Sequence, residues 1–252
     1  MSTYRYRGLR YQVYRSLARR LGHEAFRDSP HPPRPGLDVD KVRFEPIGPK
    51  AVEAMQRWDE QTHLFPWEEV PLWTERDFKG FDLSLWAENE LCGLCYASPR
   101  QSRRCIKIIL LEGNSGPANL LRGLVAPLSL LAIAEYARML KYSHIEVQQP
   151  EPGAEPLYQS LGFSRDSAGR LVIPVGSTTR QSPLQISEVL MSYAKDARKA
   201  ALIKRYTAEA IALAGEVTDQ QRHFIEVGLK EGLQKEPGGI LAGPRSGPIS
   251  YK

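Results

Sequence analysis

Few places in this 252-residue chain could do chemistry. The run Leu157-Tyr158-Gln159-Ser160-Leu161-Gly162-Phe163 sets a tyrosine on a short helix signal that ends in a Gly-Phe turn. A phenol there either exchanges a proton or is a half-buried aromatic of a short amphipathic helix. Glu112 closes the apolar run that starts at Cys105. A carboxylate beside an apolar wall has its pKa raised toward the range useful for taking a proton at neutral pH, and Glu112 is otherwise a polar strand end. Arg122-Gly123 opens a long apolar helix signal, where orphan N–H groups and the helix dipole bind anions. His144 and Glu146 share one face of the next strand by its period of two, a lone His in such a place more often being structural than a base. Cys92-x-x-Cys95 has no second pair and no nearby His, so Cys92, Cys95 and Cys105 read as buried strand thiols. No Ser-His-Asp set, P-loop or metal-ligand spacing is present, and no metal is expected.

The elements that must position these residues follow from pattern. Lys41 to Ile47 alternates apolar and polar and predicts a first strand. Gly48-Pro49 opens a helix with Val52, Met55 and Trp58 on one side and Gln61 on its exposed side. Asp82 to Ala87 and Leu91 to Ala97 predict a hairpin around Glu88-Asn89-Glu90. Cys105 to Glu112 is the next strand, Gly123 to Tyr142 a long helix, and a strand begins at His144. The order is strand, glycine-containing loop, long helix, strand, tyrosine helix, Gly-Phe turn.

That order, with the Tyr158-x-x-Leu161-Gly162-Phe163 segment, resembles the acyl-CoA N-acyltransferases of the GNAT superfamily over roughly residues 41–175. The resemblance implies an α/β fold, a GNAT-like mixed, mostly antiparallel sheet flanked by helices. It implies acetyl-CoA as co-substrate, with Tyr158 protonating the departing thiolate and Glu112 as general base, directly or through water. It places the cofactor along Leu111 and the loop Arg122, Gly123, Leu124, Val125 and Ala126. The family's Gln/Arg-x-x-Gly-x-Gly/Ala loop is matched only at Gly123. Leu120 stands where Gln or Arg is usual and Val125 where the second small residue is usual. A β-branched side chain there obstructs the phosphates unless the backbone is displaced and Arg122 supplies the charge. The segment Leu64 to Phe81, rich in Trp and Phe with Glu68, Glu69, Glu75 and Asp77, resembles the variable second helix that walls the acceptor site.

The rest of the chain sets context. A hydrophobic content of 42% with 25% charged residues excludes a disordered or fibrous chain. The longest apolar runs are too short or too punctuated to cross a bilayer, and no secretory signal opens the chain, so no membrane partner and a cytoplasmic address are expected. Residues 1–27 hold seven arginines against Glu24 alone, a net +6 that leaves −1 for the remainder. Leu9, Val13, Leu17 and Leu21 recur every four residues, predicting an amphipathic basic helix. With Tyr4, Tyr6, Tyr11 and Tyr14 it suits a nucleic-acid surface, or a helix packed on the domain with a solvated Arg face.

Five segments are expected: a basic arm over 1–28, a Pro-rich linker over 29–40, the GNAT-like domain over 41–178, a helical extension over 182–235 and a tail over 236–252. Ser182-Pro183 and Thr218 with Gln221 cap the two helices of the extension, which need a protein partner, a second copy or the domain itself to pack on. The function expected is acetyl-CoA-dependent N-acetylation of an amine, on a protein or an aminoacyl-RNA. The alternative is a non-catalytic scaffold on a degenerate GNAT fold that contacts a protein partner or nucleic acid.

Overall fold

The structure, a computed structural model, describes residues 7–28, 37–58, 65–117, 119–150 and 153–176. The predicted helical extension and tail lie outside them, as does most of the Pro-rich linker. Helix α1 (Arg7–Arg27) precedes β1 (Val42–Glu45) and α2 (Pro49–Met55). A 3-10 turn (Trp67–Glu69) leads into α3 (Val70–Arg76), then β2 (Phe81–Ala87), β3 (Glu90–Ser98) and β4 (Cys105–Gly113). Helix α4 (Val125–Met139), β5 (His144–Val147), α5 (Glu155–Ser160), β6 (Ser164–Arg165) and β7 (Leu171–Pro174) complete it.

The strands form one seven-stranded sheet in the order β1-β2-β3-β4-β5-β7-β6. Every pair is antiparallel except β4–β5. The sheet is therefore mixed and mostly antiparallel, flanked by helices, as the sequence resemblance implied.

Two hydrophobic clusters sit on opposite faces. The first joins α1 and α4 to Leu83, Leu85, Cys95, Ile106, Ile108 and Leu111, and takes in Tyr158 and Phe163 beyond. The second joins α2 and the Trp67 segment to Trp86, Leu94, Tyr96 and Leu110. The alternation along β3 and β4 is what sends successive side chains to the two faces.

The basic N-terminal segment is helix α1, packed along α4. Tyr14, Leu17, Leu21 and Phe26 are essentially inaccessible. A Cβ on Gly22 would lie 2.8 Å from the Ala132 backbone, so a missing side chain is what lets the two helices touch. Two of the arginines are buried with them: Arg19 pairs with Asp82 at 2.7 Å, and Arg15 donates to the carbonyls of Phe78 and Gly80.

Several boundaries differ from the sequence reading. The long helix starts at Val125 because Gly123 takes a left-handed φ of 80° that no helix continues. The aromatic segment forms a 3-10 turn and two turns of α3, and Phe81 belongs to β2, since Asp77 to Gly80 make a turn between them.

Candidate active site

β4 and β5 pair in parallel only over Cys105 to Ile108 and His144 to Val147. The last contact is Gln148 N–H to the Ile108 carbonyl at 3.1 Å. Beyond it the strands part. On β5, Gln149 adopts φ 47°, a left-handed turn that ends the strand before Pro150. On β4, the register against β3 shifts between Tyr96 and Ala97, so that Ile109 is a bulged residue. A bulge bends its strand and releases it from regular pairing. Leu110 to Gly113 thus pair only with β3 among the described strands, and the other edge of Ile109 to Gly113 lines a wedge between β4 and β5.

The loop above the wedge is tied by Asn119, which is buried. Its amide donates to the Cys92 carbonyl at 3.1 Å and the Asn114 carbonyl at 2.6 Å, and its side-chain oxygen accepts from Leu121 N–H at 2.9 Å. Asn114 in turn accepts from Gly116 N–H at 2.8 Å. These bonds hold Leu120 to Leu124 in turns and deliver the N-terminus of α4, whose first N–H groups have no partner within the helix. Val125 faces the sheet. Its methyl groups lie where a Cβ on Gly93 would sit 2.4 Å away and one on Gly113 3.3 Å away. The side chain fills a notch made by two glycines on adjacent strands, and is itself 1% exposed. Leu111, Leu124 and Ala126 are buried likewise, so these positions can offer a ligand only backbone. Arg122 and Gly123 are half-buried at the loop surface.

Glu112 points to the opposite face. It is 2% exposed and accepts a hydrogen bond from the Trp67 indole N–H at 2.6 Å. Trp67 is fully buried and meets Phe65 edge-on at 6.0 Å. Around them, Trp73 meets Tyr96 edge-on at 5.6 Å and donates to Glu69 at 3.2 Å. The acidic residues of this segment divide in two: Glu68, Glu69 and Glu75 are exposed, while Asp77 accepts from the Ser98 hydroxyl.

Tyr158 lies on α5 in the first cluster, its ring edge-on to Phe163 at 5.6 Å. Burial pushes its phenol well above the ordinary value, and the charge of a Cys95 thiolate would add to that. The phenol therefore holds its proton at any physiological pH. Glu112 and Tyr158 belong to opposite faces of the sheet, with β4 between them.

The remaining candidates are structural. Glu146 bonds Lys107 at 3.0 Å, lies 3.8 Å from Arg170 and accepts from the Cys105 thiol at 3.5 Å. His144 is exposed and bonded to the Ser143 hydroxyl. Cys92, Cys95 and Cys105 are free, buried thiols, with Cys95 pushed up to about 12 by burial. No metal-ligating cluster occurs among the described residues. Sequence reading missed Trp67 as the partner of Glu112, Asn119 as the loop clamp and the bulge at Ile109. Only the Asn carried a signal, as a turn-forming residue between two apolar elements.

No family model and no curated protein matches the chain. Among solved structures it is similar to Ard1 from Thermoplasma volcanium, 16% identical over 54% of this chain and 99% of that one, with a TM-score of 0.43. It is also similar to the ribosomal-protein-S18-alanine N-acetyltransferase from Escherichia coli, 14% identical over 57% of this chain and 99% of that one, TM-score 0.41. A third is the N-acetyltransferase PseH from Campylobacter jejuni, 10% identical over 55% and 99%, TM-score 0.39. The strand, glycine-containing loop, long helix, strand, tyrosine helix and Gly-Phe turn stand in this structure in the order that the resemblance rested on.

Proposed function

We propose that the protein is an acetyl-CoA-dependent N-acetyltransferase acting on an amine of a macromolecule, a protein or an aminoacyl-RNA. The observation that supports it best is the wedge between β4 and β5, with a carboxylate held on one face and a phenol on the other. The α4 N-terminus and Arg122 would meet the pyrophosphate of the co-substrate, and the free edge of Ile109 to Gly113 would bond its amide-bearing arm. The thioester would then lie in the wedge.

The amine approaches from the face of Trp67 and Tyr96. Glu112, directly or through a water, takes the proton from the ammonium, and the nitrogen forms its bond to the acyl carbon as the carbon–sulfur bond breaks. Tyr158 donates to the departing sulfur, and the second proton of the nitrogen, released as the amide forms, restores the phenol. In its dry surroundings the phenol is a weak acid, so its first contribution is a hydrogen bond to the developing thiolate, with proton transfer following as the co-substrate replaces apolar neighbours. The Trp67 bond fixes the Glu112 carboxylate toward one rotamer before substrate arrives. The residues after 176 extend beyond what transfer to a small metabolite requires, which supports the larger acceptor.

Calorimetric titration with acetyl-CoA tests the reading. Micromolar binding that weakens in Arg122→Ala, together with acetylation of RNA or protein amines that falls at least tenfold in Tyr158→Phe at unchanged co-substrate affinity, is the expected result. No binding at millimolar acetyl-CoA would overturn it in favour of a scaffold.

A further inference from the structure

A cleft of about 490 Å³ opens between α1, the start of α3 and the segment joining β1 to α2, lined among others by Gln12, Arg15, Arg19, Ile47 and Phe78. It borders the start of β2, which pairs with the far end of β3 from Gly93 and so lies away from the α4 N-terminus. Its floor carries an unbalanced charge. Asp82 is saturated, one carboxylate oxygen paired with Arg19 at 2.7 Å and the other accepting from Ile47 N–H at 2.7 Å. Arg15, 8% exposed, donates through Nη1 to two carbonyls, Phe78 at 3.2 Å and Gly80 at 3.0 Å, and has no carboxylate partner among the described residues. Its Nε and Nη2 are not among the sealed, unpartnered atoms of the structure, and the residue lines the cleft. Two guanidinium groups and one carboxylate leave a net charge of +1 in a nearly dry floor. A buried cation without a counter-charge is costly, and an anion delivered to its free N–H groups removes that cost.

Apart from the exposed Glu75 on α3, whose carboxylate belongs to the water-facing part of the lining, and the side chains of Gln12, Ser16 and Thr74, the walls are apolar. Pro46, Ile47, Pro71 and the Phe78 ring line the space, and Phe78 is 49% exposed at its edge. The Ser16 and Thr74 hydroxyls already donate to carbonyls of their own helices, Gln12 and Val70, so they add no free donors. One strong donor at the floor and an apolar surround is the pattern of a small-molecule site. We propose that this cleft is a second ligand site, which binds a small molecule carrying one anionic group, carboxylate or phosphate, on an apolar body. The anionic group sits on Arg15 and the body against Ile47 and Phe78. The site is independent of the transfer chemistry.

The full chain is titrated by calorimetry with benzoate, phenyl phosphate and the neutral benzyl alcohol. Both anions are expected to bind at least tenfold more tightly than the alcohol. A higher affinity for phenyl phosphate points to a phosphate monoester, and an equal or higher affinity for benzoate to a carboxylate; either order supports the site. Arg15→Gln should remove this preference. Because that change also takes an anchor from α1, Gln12→Glu is the second variant: it places a negative charge at the rim, touches no core contact, and should weaken both anions at least fivefold without shifting the melting temperature. Equal binding of all three probes, no binding of any, or anion binding unchanged in Gln12→Glu would overturn the proposal. Anion binding that acetyl-CoA displaces and Gln12→Glu spares would place the anion at the α4 N-terminus instead, and would overturn it too.

Discussion

The two faces of the sheet are held by different physics. The α1–α4 face is built from close approach: Gly22 against Ala132, Val125 in the notch of Gly93 and Gly113, Ala18, Ala97 and Ala137 in between. The α2–α3 face is built from indoles and a phenol, and its three buried tryptophans each place an N–H on a defined oxygen. Trp58 donates to the Leu91 carbonyl at 3.2 Å, Trp86 to the Ser84 hydroxyl at 3.0 Å and Trp67 to Glu112 at 2.6 Å. A face built on close approach positions helices through the shape of small and aliphatic residues. A face of tryptophans excludes water as well and still supplies donors. On the second face one of those donors keeps the Glu112 carboxylate dry and oriented.

If close approach governs the first face, adding one carbon there must hurt more than removing a hydrogen bond on the second. Gly93→Ala drives a Cβ to 2.4 Å from a Val125 methyl carbon, and a β-branched side chain in a helix has no other rotamer to adopt. A loss of about 3 kcal/mol is expected, near the upper end for overpacking. Val125→Ala in the same chain should recover at least about 1 kcal/mol, because the clashing atoms are gone. Chemical denaturation of the two single variants and the double variant measures this; additivity would break the close-packing account. Gly22→Ala is the parallel change on α1. Alanine gains about 1 kcal/mol of helix propensity over glycine, yet the new Cβ meets Ala132 backbone at 2.8 Å, which cannot rotate away. A net loss of about 2 kcal/mol is expected.

On the second face, Trp67→Phe keeps most of the ring volume and removes the donor to Glu112. The expected loss is about 2 kcal/mol, against about 1 kcal/mol for Trp58→Phe, whose partner is a neutral carbonyl. The activity readout should separate the two further. Trp67→Phe removes this hydrogen bond to the carboxylate and is expected to lower kcat at little change in KM, whereas Trp58→Phe leaves both alone. Equal effects on kcat would make the Trp67 bond structural.

How far these residues could be read from sequence follows the same division. Strands β2 to β5, α4 and the Gly-Phe turn were legible because period and breakers are local signals, and Gly123 marked where the helix could not yet start. Tyr158 and Glu112 were legible as residue types at the ends of such elements. Trp67 was not, because its partner is 45 positions away and no local pattern distinguishes an indole that packs from one that also donates. The buried fate of Arg15 and Arg19 was hidden for a related reason: a run of arginines on a helix looks solvated until a carbonyl from the turn before β2 or a carboxylate from β2 arrives to pair with them.

A third test sets both faces against pH. Cys95, Tyr158 and Tyr136 are all raised by burial in the first cluster. Each is protonated in the folded state at pH values where the unfolded chain would ionise it. The Cys95 contribution is therefore complete below about pH 8.5 and those of the tyrosines below about pH 10, and each is lost as pH rises above that value, at up to about 1.4 kcal/mol per pH unit for each group. Melting temperature should be level from pH 7 to 8.5 and fall steeply by pH 10. A level profile through pH 10 would mean that these groups meet water in the folded protein.

The smallest effect belongs to neither face. At the far edge of the sheet Arg165 bonds Glu155 at 2.5 Å and Arg170 bonds Asp166 at 2.6 Å, and both carboxyls are lowered by those arginines. A lowered carboxyl contributes above its unfolded value and ceases to contribute as pH falls through the folded one, so the window lies at and below about pH 4. Both arginines are exposed, and solvent and salt screen such pairs. Arg165→Gln or Arg170→Gln should lower the melting temperature by less than about 2 °C at pH 7, by less still in 1 M salt, and by nothing measurable at pH 3. A larger loss at pH 7 that persists in salt would show that the edge strands β6 and β7 are held by these pairs and not by the burial of Leu171 and Ile173 beneath them.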